Sequence, residues 1–298
     1  MKENKKKIPK KTPKTKQPFW WEAALYGVSN QGAVRDALFK LGSTGLLEEE
    51  DRLIAYFEPA QYKLSGKLEE LLHHATQCRI VIKKIPARDW ESEWKKNFKP
   101  RKVSKRFVVR PSWEKYNKKK NELVLVIDPK MSFGTGTHET TQLVLRLMER
   151  YNRKGPALDI GTGTGILAIA AAKLGIKKIY ALDVDVSSFE NALENISRNR
   201  CAGRIKVLQG DIKQLPNDWP QKYTMIVANI QKNVILEMLD TLRSLLSHDG
   251  QLLISGILTT EDDSMRPAFA HHGLKINESK QDGEWTAYAL THDSSLYV

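Results

Sequence analysis

The sequence predicts an α/β protein whose larger part is a doubly wound, mainly parallel sheet, preceded by a small α+β domain. Three observations support this prediction. From residue 157 onward, short apolar runs alternate with segments whose apolar residues recur at helical spacing. A glycine-rich turn at residues 161–165 joins the first of these runs to a helical pattern. Residues 18–86 instead show strand and helix patterns in the order βαββαβ.

The first part of the chain divides into a tail and a small domain. Residues 1–17 contain eight Lys, one Glu and almost no apolar side chain, so we expect this tail to be disordered. In residues 18–86 we predict a strand, a helix, two strands around an acidic turn, a second helix and a closing strand, at Trp20–Tyr26, Asn30–Leu41, Leu46–Phe57, Leu64–Ala75 and Arg79–Ile85. This order describes a ferredoxin-like module, and it contains no catalytic constellation.

A charged connector is predicted at residues 87–106, where Trp90 and Trp94 share one helix face because they lie four residues apart. The larger domain is expected to occupy residues 107–298. Its predicted strands are 107–110, 123–127, 157–160, 179–183, 205–209, 223–228 and 252–258, with a final pair at 274–280 and 285–291. Its predicted helices are 165–174, 187–199, 234–246 and 261–271.

Positive charge is concentrated in two stretches of the chain. The formal net charge is +13, and residues 1–17 contribute eight Lys against one Glu. Residues 95–120 contribute twelve Lys or Arg against one Glu, so the rest of the chain is slightly acidic. Localised basic stretches attract polyanions such as ribosomal RNA. For the tail, a solubilising role is an equally good interpretation.

Cysteine content and hydropathy indicate the compartment. Cys78 and Cys201 fall one in each domain, so no disulfide framework is expected, which fits a reducing compartment. No apolar run reaches membrane-spanning length, and no apolar signal core follows the tail. The adjacent histidine pairs at 73–74 and 271–272 point to different helix faces, so we expect no metal site from them. We therefore expect a soluble, cytoplasmic monomer.

The glycine-rich turn suits a nucleoside ligand. A buried strand at residues 157–160 leads into Gly161, Gly163 and Gly165, where the backbone can approach a ligand because no Cβ stands in the way. The dinucleotide fingerprint requires its last glycine where this chain has Ile166. The pattern therefore favours S-adenosylmethionine over a dinucleotide.

Two acids flank this turn. Asp183 ends the second strand, where a carboxylate can accept hydrogen bonds from both hydroxyls of a ribose. Asp159 lies inside the first strand, and we expect it to face the cationic amino-acid portion of the same cofactor.

Several other stretches carry a recognisable pattern: DWESEWKKNFKP (89–100), FVVRPSW (107–113), the loop DPKMSFGTGTHETT (128–141), VANI (227–230), LLISGIL (252–258) and GEWTAYAL (283–290). From about Pro18 onward, nearly the whole chain resembles the methyltransferases of large-subunit ribosomal protein L11, the PrmA family. Lys130 and Ser132 stand where this family usually has Gly and Ala, so the first loop is expected to be stiffer or differently charged here.

The resemblance implies a class I, Rossmann-like methyltransferase domain that transfers methyl groups from S-adenosylmethionine to L11, on Lys side chains, the α-amine or both. It also implies that the small domain recognises L11. The cofactor-contacting positions of the family match Thr140, Gly161, Asp183 and Asn229. The loop residues expected near cofactor and amine are Phe133, Thr135 and His138.

Methyl transfer to an amine requires a neutral nucleophile. A Lys amine with a pKa near 10.4 is neutral in about one molecule in 2,500 at pH 7, which costs roughly 4–5 kcal/mol. From the resemblance, Asn229 lies where related amine methyltransferases place an Asn or Asp beside the transferable methyl. We therefore expect its amide oxygen and the carbonyl of Ile230 to accept hydrogen bonds from the amine, so that no general base is demanded. His138 is either such a base or a residue that orients the loop. Asp211 either faces the adenine amino group or caps a helix.

Three other functions compete with this hypothesis. An RNA methyltransferase is supported by the basic stretches, but the fourth strand is followed by Ala-Asn-Ile-Gln rather than by the Asn/Asp-Pro-Pro-aromatic signature of base-directed methylation. A nicotinamide oxidoreductase would need the missing glycine. A binding module without catalysis conflicts with the intact Asp159, Asp183 and Asn229, although Lys130 keeps it open.

Overall fold

The computed structural model describes residues 19–28, 34, 37–38, 41–43, 45–49, 52–58, 65–76, 78–86, 98–128 and 134–293. The tail at residues 1–17 and the tryptophans Trp90 and Trp94 of the predicted connector lie outside these ranges. The chain divides into two compact units, residues 1–97 and 98–298. Within the described ranges, no helix is long and apolar enough to cross a membrane.

The first unit contains an antiparallel sheet with the strand order β2-β3-β1-β4. Its elements are β1 (Phe19–Tyr26), β2 (Gly45–Glu49), β3 (Arg52–Phe57), α1 (Ser65–Thr76) and β4 (Arg79–Pro86). Three residues of the predicted first helix, at 34, 37 and 38, are helical. Leu25, Leu38, Phe57 and Leu72 are fully buried and belong to one core, which strands and helices share. The strand order confirms the predicted ferredoxin-like module.

The second unit begins with a small sheet of three strands, β5 (Arg101–Lys102), β6 (Phe107–Arg110) and β7 (Leu123–Val126). β6 and β7 are parallel, and β5 pairs antiparallel with β6. Because of this pairing, residues 98–106 of the predicted connector belong to the second unit. Phe107 and Leu125 are fully buried in the core beneath the main sheet.

The main sheet of the second unit has seven strands in the order β10-β9-β8-β11-β12-β14-β13. They are β8 (Ala157–Ile160), β9 (Ile179–Asp183), β10 (Ile205–Gln209), β11 (Tyr223–Asn229), β12 (Leu246–Leu258), β13 (Leu274–Asp282) and β14 (Trp285–His292). β8 to β12 are parallel, and β14 is antiparallel to both of its neighbours. The predicted doubly wound, mainly parallel sheet with an antiparallel edge is confirmed.

Helices cover both faces of this sheet. They are α2 (Glu139–Arg150), α3 (Ile166–Lys173), α4 (Val186–Arg198), α5 (Lys232–Leu245) and α6 (Asp262–His271), with 3-10 turns at Ile212–Gln214 and Thr259–Glu261. Leu147 of α2, Ile169 of α3 and Ala192 of α4 are buried in the core on one face. Leu239 of α5 and Phe269 of α6 are buried in the core on the other. Apolar side chains that alternate along each buried strand supply both cores.

Besides β5, which lies in the predicted connector, two elements differ from the prediction. Helix α2 was not predicted, although it buries Leu143, Val144 and Leu147 along one face. The glycines of the preceding loop dominate the local sequence, and their pattern predicts a loop that extends to residue 141. β12 starts at Leu246 rather than at 252, because Leu246 pairs with Tyr223 of β11 across a bulge.

Candidate functional site

A cleft of about 590 Å³ opens at the carboxyl ends of β8, β9 and β11. The strand order reverses between β8 and β11, and open α/β sheets bind their ligands at such a point. The residues that line the cleft are His138, Thr140, Ile160, Gly161, Gly163, Leu182, Asp183, Val184, Ser188, Asp211, Ile212, Asn229, Ile230, Gln231, Val234, Met238, Gly256 and Trp285.

The turn after β8 forms the floor of the cleft. Gly161, Gly163 and Gly165 all have positive φ, at 66°, 55° and 80°, which is the region that favours glycine. A Cβ at residue 161 would collide with the side chain of Ile230. Gly161 and Gly163 line the cleft, whereas Gly165 begins α3 and packs against Ala192. The turn therefore exposes its first two glycines to a ligand and uses the third for packing.

Asp183 lies at the end of β9 with its carboxylate fixed by backbone amides. Oδ2 accepts a hydrogen bond from Gly163 N at 2.8 Å, and Oδ1 accepts one from Asp185 N at 3.1 Å. A carboxylate has about four lone-pair sites, so each oxygen retains acceptor capacity. The side chain lines the cleft with this remaining capacity.

Asp159 has a different environment from the predicted one. It is fully buried and does not line the cleft. Its Oδ2 accepts hydrogen bonds from Thr162 Oγ1 at 2.6 Å and from Ala168 N at 3.0 Å, while Oδ1 has no partner among the described residues. Because side chains alternate along β8, Asp159 faces the first turn of α3 instead of the ligand. Burial, opposed by these two hydrogen bonds, raises the pKa of Asp159 to about 7.

The other wall of the cleft is the start of α2. His138 caps this helix: its Nδ1 lies 2.8 Å from Thr140 Oγ1 and accepts a hydrogen bond from Thr140 N at 3.3 Å. The His138 ring also packs edge-on against Trp285, with the ring centroids 5.1 Å apart. Thr140 is buried and lines the cleft next to His138.

The remaining residues of the first loop are not found among the described residues that line the cleft. Thr135 does not line the cleft, and its hydroxyl lies 2.7 Å from that of Thr137. Phe133, Lys130 and Ser132 lie outside the described residues. The structure therefore brings His138 and Thr140 of this loop to the cleft and leaves Thr135 outside it.

Asn229 ends β11 with its side chain in the cleft and only 9% of the residue exposed. Its Nδ2 donates a hydrogen bond to Thr141 Oγ1 at 3.4 Å. Its Oδ1 is buried and has no hydrogen-bond partner among the described residues. An unmet buried acceptor costs about 1–3 kcal/mol, so a ligand that donates a hydrogen bond here is favoured.

Ile230 follows Asn229 and lies in the centre of the cleft floor. Its backbone amide donates to Ser255 O at 3.2 Å, which ties the end of β11 to β12. Gly256 has a φ of +91°, and a Cβ there would collide with the carbonyl group of Ile230. Glycine at 256 therefore makes room for the backbone that carries Asn229 and Ile230.

Asp211 has one of its two predicted roles, that of a helix cap. Its Oδ1 accepts a hydrogen bond from Lys213 N at 2.8 Å and so caps the turn at Ile212–Gln214. Asp211 also lines the cleft, so the cap leaves its second oxygen near any ligand.

Sequence reasoning assigned no role to several residues that line the cleft: Ser188, Gln231, Val234, Met238, Gly256 and Trp285. Gly256 and Trp285 lie in stretches whose sequence pattern was recognised, LLISGIL and GEWTAYAL, but they are far along the chain from the glycine turn. No group of three or more His, Cys, Asp or Glu that could hold a metal ion occurs among the residues with described positions.

Comparison with known proteins gives consistent results. The profile of the family described as ribosomal protein L11 methyltransferase (PrmA) matches residues 26–293. A ribosomal protein L11 methyltransferase of Desulfitobacterium hafniense is 32% identical over 302 aligned positions, covering 89% of this chain and 96% of the relative. The crystal structure of a ribosomal protein L11 methylase from Lactobacillus delbrueckii subsp. bulgaricus is similar with a TM-score of 0.60 and 32% identity, covering 65% of this chain and 99% of that one.

Proposed function

The chain belongs to the ribosomal protein L11 methyltransferase (PrmA) family, and we propose that it transfers methyl groups from S-adenosylmethionine to amino groups of ribosomal protein L11. The acceptors are lysine side chains, the α-amine, or both. The family makes the chain a protein methyltransferase, so RNA methylation and nicotinamide chemistry are not favoured. The observation that carries the proposal is the buried amide oxygen of Asn229, which lies in the cleft without a partner among the described residues.

The residues at the cleft fit a nucleoside cofactor. The carboxylate of Asp183, held by two backbone amides, suits a pair of neighbouring hydroxyls such as those of a ribose. Ile160, Leu182 and Ile212 supply apolar walls for a base, and Asp211 is close enough to the cleft to accept from an amino group on that base. S-adenosylmethionine, when bound, supplies a methyl group on a positively charged sulfonium.

Asn229 is the group to which we assign positioning of the substrate amine. Its Nδ2 is engaged with Thr141, and its amide oxygen has no partner among the described residues, so this oxygen can accept a hydrogen bond from a ligand. A neutral amine can donate one hydrogen bond to this oxygen and a second to the carbonyl of Ile230. Because burial disfavours a charged ammonium, entry into this apolar cleft lowers the pKa of the incoming amine. Positioning of a neutral amine, without a dedicated base, therefore accounts for the chemistry.

His138 is assigned an orienting role. Its Nδ1 is engaged with Thr140, and its ring packs against Trp285. Both partners line the cleft, so His138 holds that wall in shape. Thr140 and Gly161, which also line the cleft, are proposed as cofactor contacts alongside Asp183.

The first unit is proposed to recognise L11, because the cleft and its polar groups lie entirely in the second unit. Three expectations from composition stay predictions: a cytoplasmic location, a monomeric state, and contact with ribosomal RNA through the basic stretches.

The function is tested by incubating the purified full chain with S-adenosylmethionine and recombinant L11, then mapping methyl groups by mass spectrometry. Methylated amines in L11 that depend on both chain and cofactor are the expected result. A chain that begins at Phe98 serves as the matched control, and it should bind cofactor but leave L11 unmodified. Unmodified L11 in the presence of the full chain, with methyl groups on a ribosomal RNA fragment instead, would contradict the proposal.

A further inference from the structure

A strongly basic surface lies on the second unit, outside the cleft. Residues 98–122 contain ten Lys or Arg and two Glu. Outside this stretch and residues 1–17, acidic residues outnumber basic ones by two, so the surface stands out from a nearly neutral chain. Its most exposed part is the lysine loop, residues 111–122 between β6 and β7, which carries Lys115, Lys118, Lys119 and Lys120. All four lysines are exposed.

The lysine loop is held at both ends. Asp128 accepts hydrogen bonds from the amide and hydroxyl of Ser112 at 2.6 and 2.7 Å. The guanidinium of Arg110 donates to the carbonyls of Pro111 and Glu114, both at 2.8 Å. The loop is thus anchored where it leaves β6.

At the other end of the loop, the buried Glu122 accepts hydrogen bonds from Tyr116 Oη at 2.8 Å and from Lys119 N at 2.9 Å. These contacts hold the end of the loop in place, and its four lysines outnumber the two acids, Glu114 and Glu122, so the loop keeps a net positive charge. Lys115, Lys118 and Lys120 form no ion pair within the part of the chain that the structure describes. Ordering the loop in advance lowers the entropic cost of binding a partner.

The lysine loop continues into a basic groove of about 460 Å³. Lys102 joins the two, because its Nζ lies 3.7 Å from Glu122 Oε1 and its side chain also lines the groove. The other cations that line the groove are Lys105, Arg146, Arg150 and Lys280. Glu149 is the acidic residue that lines this groove, and its carboxylate accepts hydrogen bonds from the segment before β6.

Hydrogen bonds from the segment before β6 hold Glu149 in place. Its Oε1 accepts hydrogen bonds from Ser104 Oγ at 2.6 Å and from the amides of Arg106 and Phe107 at 2.7 and 3.2 Å. Arg146 and Arg150 each retain free donors, although they also pair with Asp282 and Glu278 at 2.9 and 3.1 Å. A guanidinium has five donors, so one carboxylate does not saturate it.

Helix α2 separates this basic surface from the cleft. The first turn of the helix, with Thr140, lines the cleft, and its last turns, with Arg146 and Arg150, line the groove. Twelve residues of helix span about 18 Å. The basic surface therefore has no direct part in methyl transfer.

We propose that the lysine loop and the basic groove together bind the phosphodiester backbone of structured RNA, as a docking surface separate from the catalytic cleft. Exposed lysines on an ordered loop, next to the cations of the groove, fit a polyanion of regular charge spacing. We infer RNA rather than another polyanion because the description of the family names a ribosomal protein as its substrate. A surface of solvated lysines that binds nothing is the ordinary alternative.

The test uses a fluorescein-labelled RNA duplex of about 20 base pairs, long enough to cover a typical duplex-binding surface. Its affinity for the full chain is measured by anisotropy at several salt concentrations between about 50 and 200 mM. The loop variant replaces Lys115, Lys118, Lys119 and Lys120 with Gln. The matched control removes four exposed cations elsewhere on the same unit, Arg153, Lys154, Lys177 and Lys178, by the same change.

The loop variant should bind the duplex at least about tenfold more weakly, and its log–log salt slope should fall by about 0.9 for each lysine that contacts a phosphate. The control should change affinity less than about twofold. Methylation of isolated L11 by the loop variant should equal that of the parent, which also verifies folding.

Equal losses in both variants would mean that total charge, rather than this surface, binds RNA, and would overturn the proposal. Unchanged RNA binding in the loop variant would do the same. A loop variant that loses binding only to phosphatidylserine vesicles would identify a membrane as the partner instead. If the loop variant fails to fold, Lys102→Gln combined with Lys105→Gln tests the groove with the same probe.

Discussion

The two walls of the cleft are built in different ways. One wall is the end of β11, where Asn229 pairs in register with Ser255 of β12 and leaves its amide oxygen without a partner among the described residues. The other wall is the start of α2, where His138 engages Thr140 and packs against Trp285. The strand wall presents an uncommitted acceptor, whereas the side chain on the helix wall is committed to its neighbours.

This difference shows how a fold can support an unmet polar group. Asn229, at the end of a central strand, is positioned by its pairing with Ser255 of β12, so the stability of the sheet offsets the cost of about 1–3 kcal/mol for a buried acceptor without a partner. A residue at a helix start that follows a glycine-rich loop has no such support, and its side chain satisfies the local backbone instead. We therefore expect Asn229 on the strand wall to contact the reacting amine, and His138 on the helix wall to hold neighbouring side chains in position.

The largest expected effect tests the strand wall. Asn229→Ala should fold normally and lose about 30- to 1,000-fold in turnover at saturating cofactor and L11, because one well-placed acceptor in a desolvated site stabilises the transition state by roughly 2–4 kcal/mol. Steady-state kinetics with a thermal melt as folding control would measure this. A raised Michaelis constant with unchanged turnover would mean that Asn229 only holds the ground state.

The next effect concerns the cofactor contact at the end of β9. Asp183→Ala should weaken S-adenosylmethionine binding by up to about 3 kcal/mol, or about 150-fold, because ribose donors lose their acceptor. Isothermal titration calorimetry measures the affinity. Asp185→Ala is the matched control, since Asp185 caps α4 through Ser188 N at 2.8 Å and does not line the cleft. Equal affinities for the Asp183 variant and this control would remove Asp183 from the site.

A third effect concerns the buried Asp159, whose protonation should make the free energy of unfolding depend on pH. Its folded pKa of about 7 lies above the unfolded value near 3.9, so the folded state holds the proton more tightly. The stabilisation is complete at pH below 4 and is lost as pH rises through 7. Relative to Asp159→Asn, the parent should therefore lose about 2 kcal/mol of unfolding free energy between pH 5 and 7. Urea denaturation of both proteins at these two values measures the loss, and parallel pH profiles would show that Asp159 is ionised when folded.

The smallest expected effect belongs to the helix wall. His138→Ala should reduce turnover less than about tenfold, because the ring orients Thr140 and Trp285 and takes no proton in the proposed scheme. The same assay used for Asn229→Ala allows a direct comparison. If His138→Ala has no measurable turnover while Asn229→Ala keeps near-parental turnover, the roles of the two walls are reversed and the reaction requires a general base.

Much of the fold followed from patterns that are local in the chain. The alternation of apolar strands with helices predicted a doubly wound, mainly parallel sheet, and the apolar run that ends in Asp183 predicted one residue of the cleft, whereas Asn229 was implied by the family resemblance. These predictions worked because parallel strands carry their functional residues at their carboxyl ends. The sequence did not predict helix α2, because the composition of the adjoining glycine-rich loop outweighed the amphipathic pattern that follows it.

The sequence by itself determined the family motifs, the glycine turn and the concentration of positive charge in residues 95–120, since each depends on residue types at short spacing. Only the tertiary structure decided which side of β8 receives Asp159. It also decided that Gly256 and Trp285 line the same cleft as His138 and Gly161, although more than ninety residues of sequence separate the two pairs. The physical reason is that side-chain direction and long-range contact depend on strand register and helix packing. These arise only when the sheet has formed.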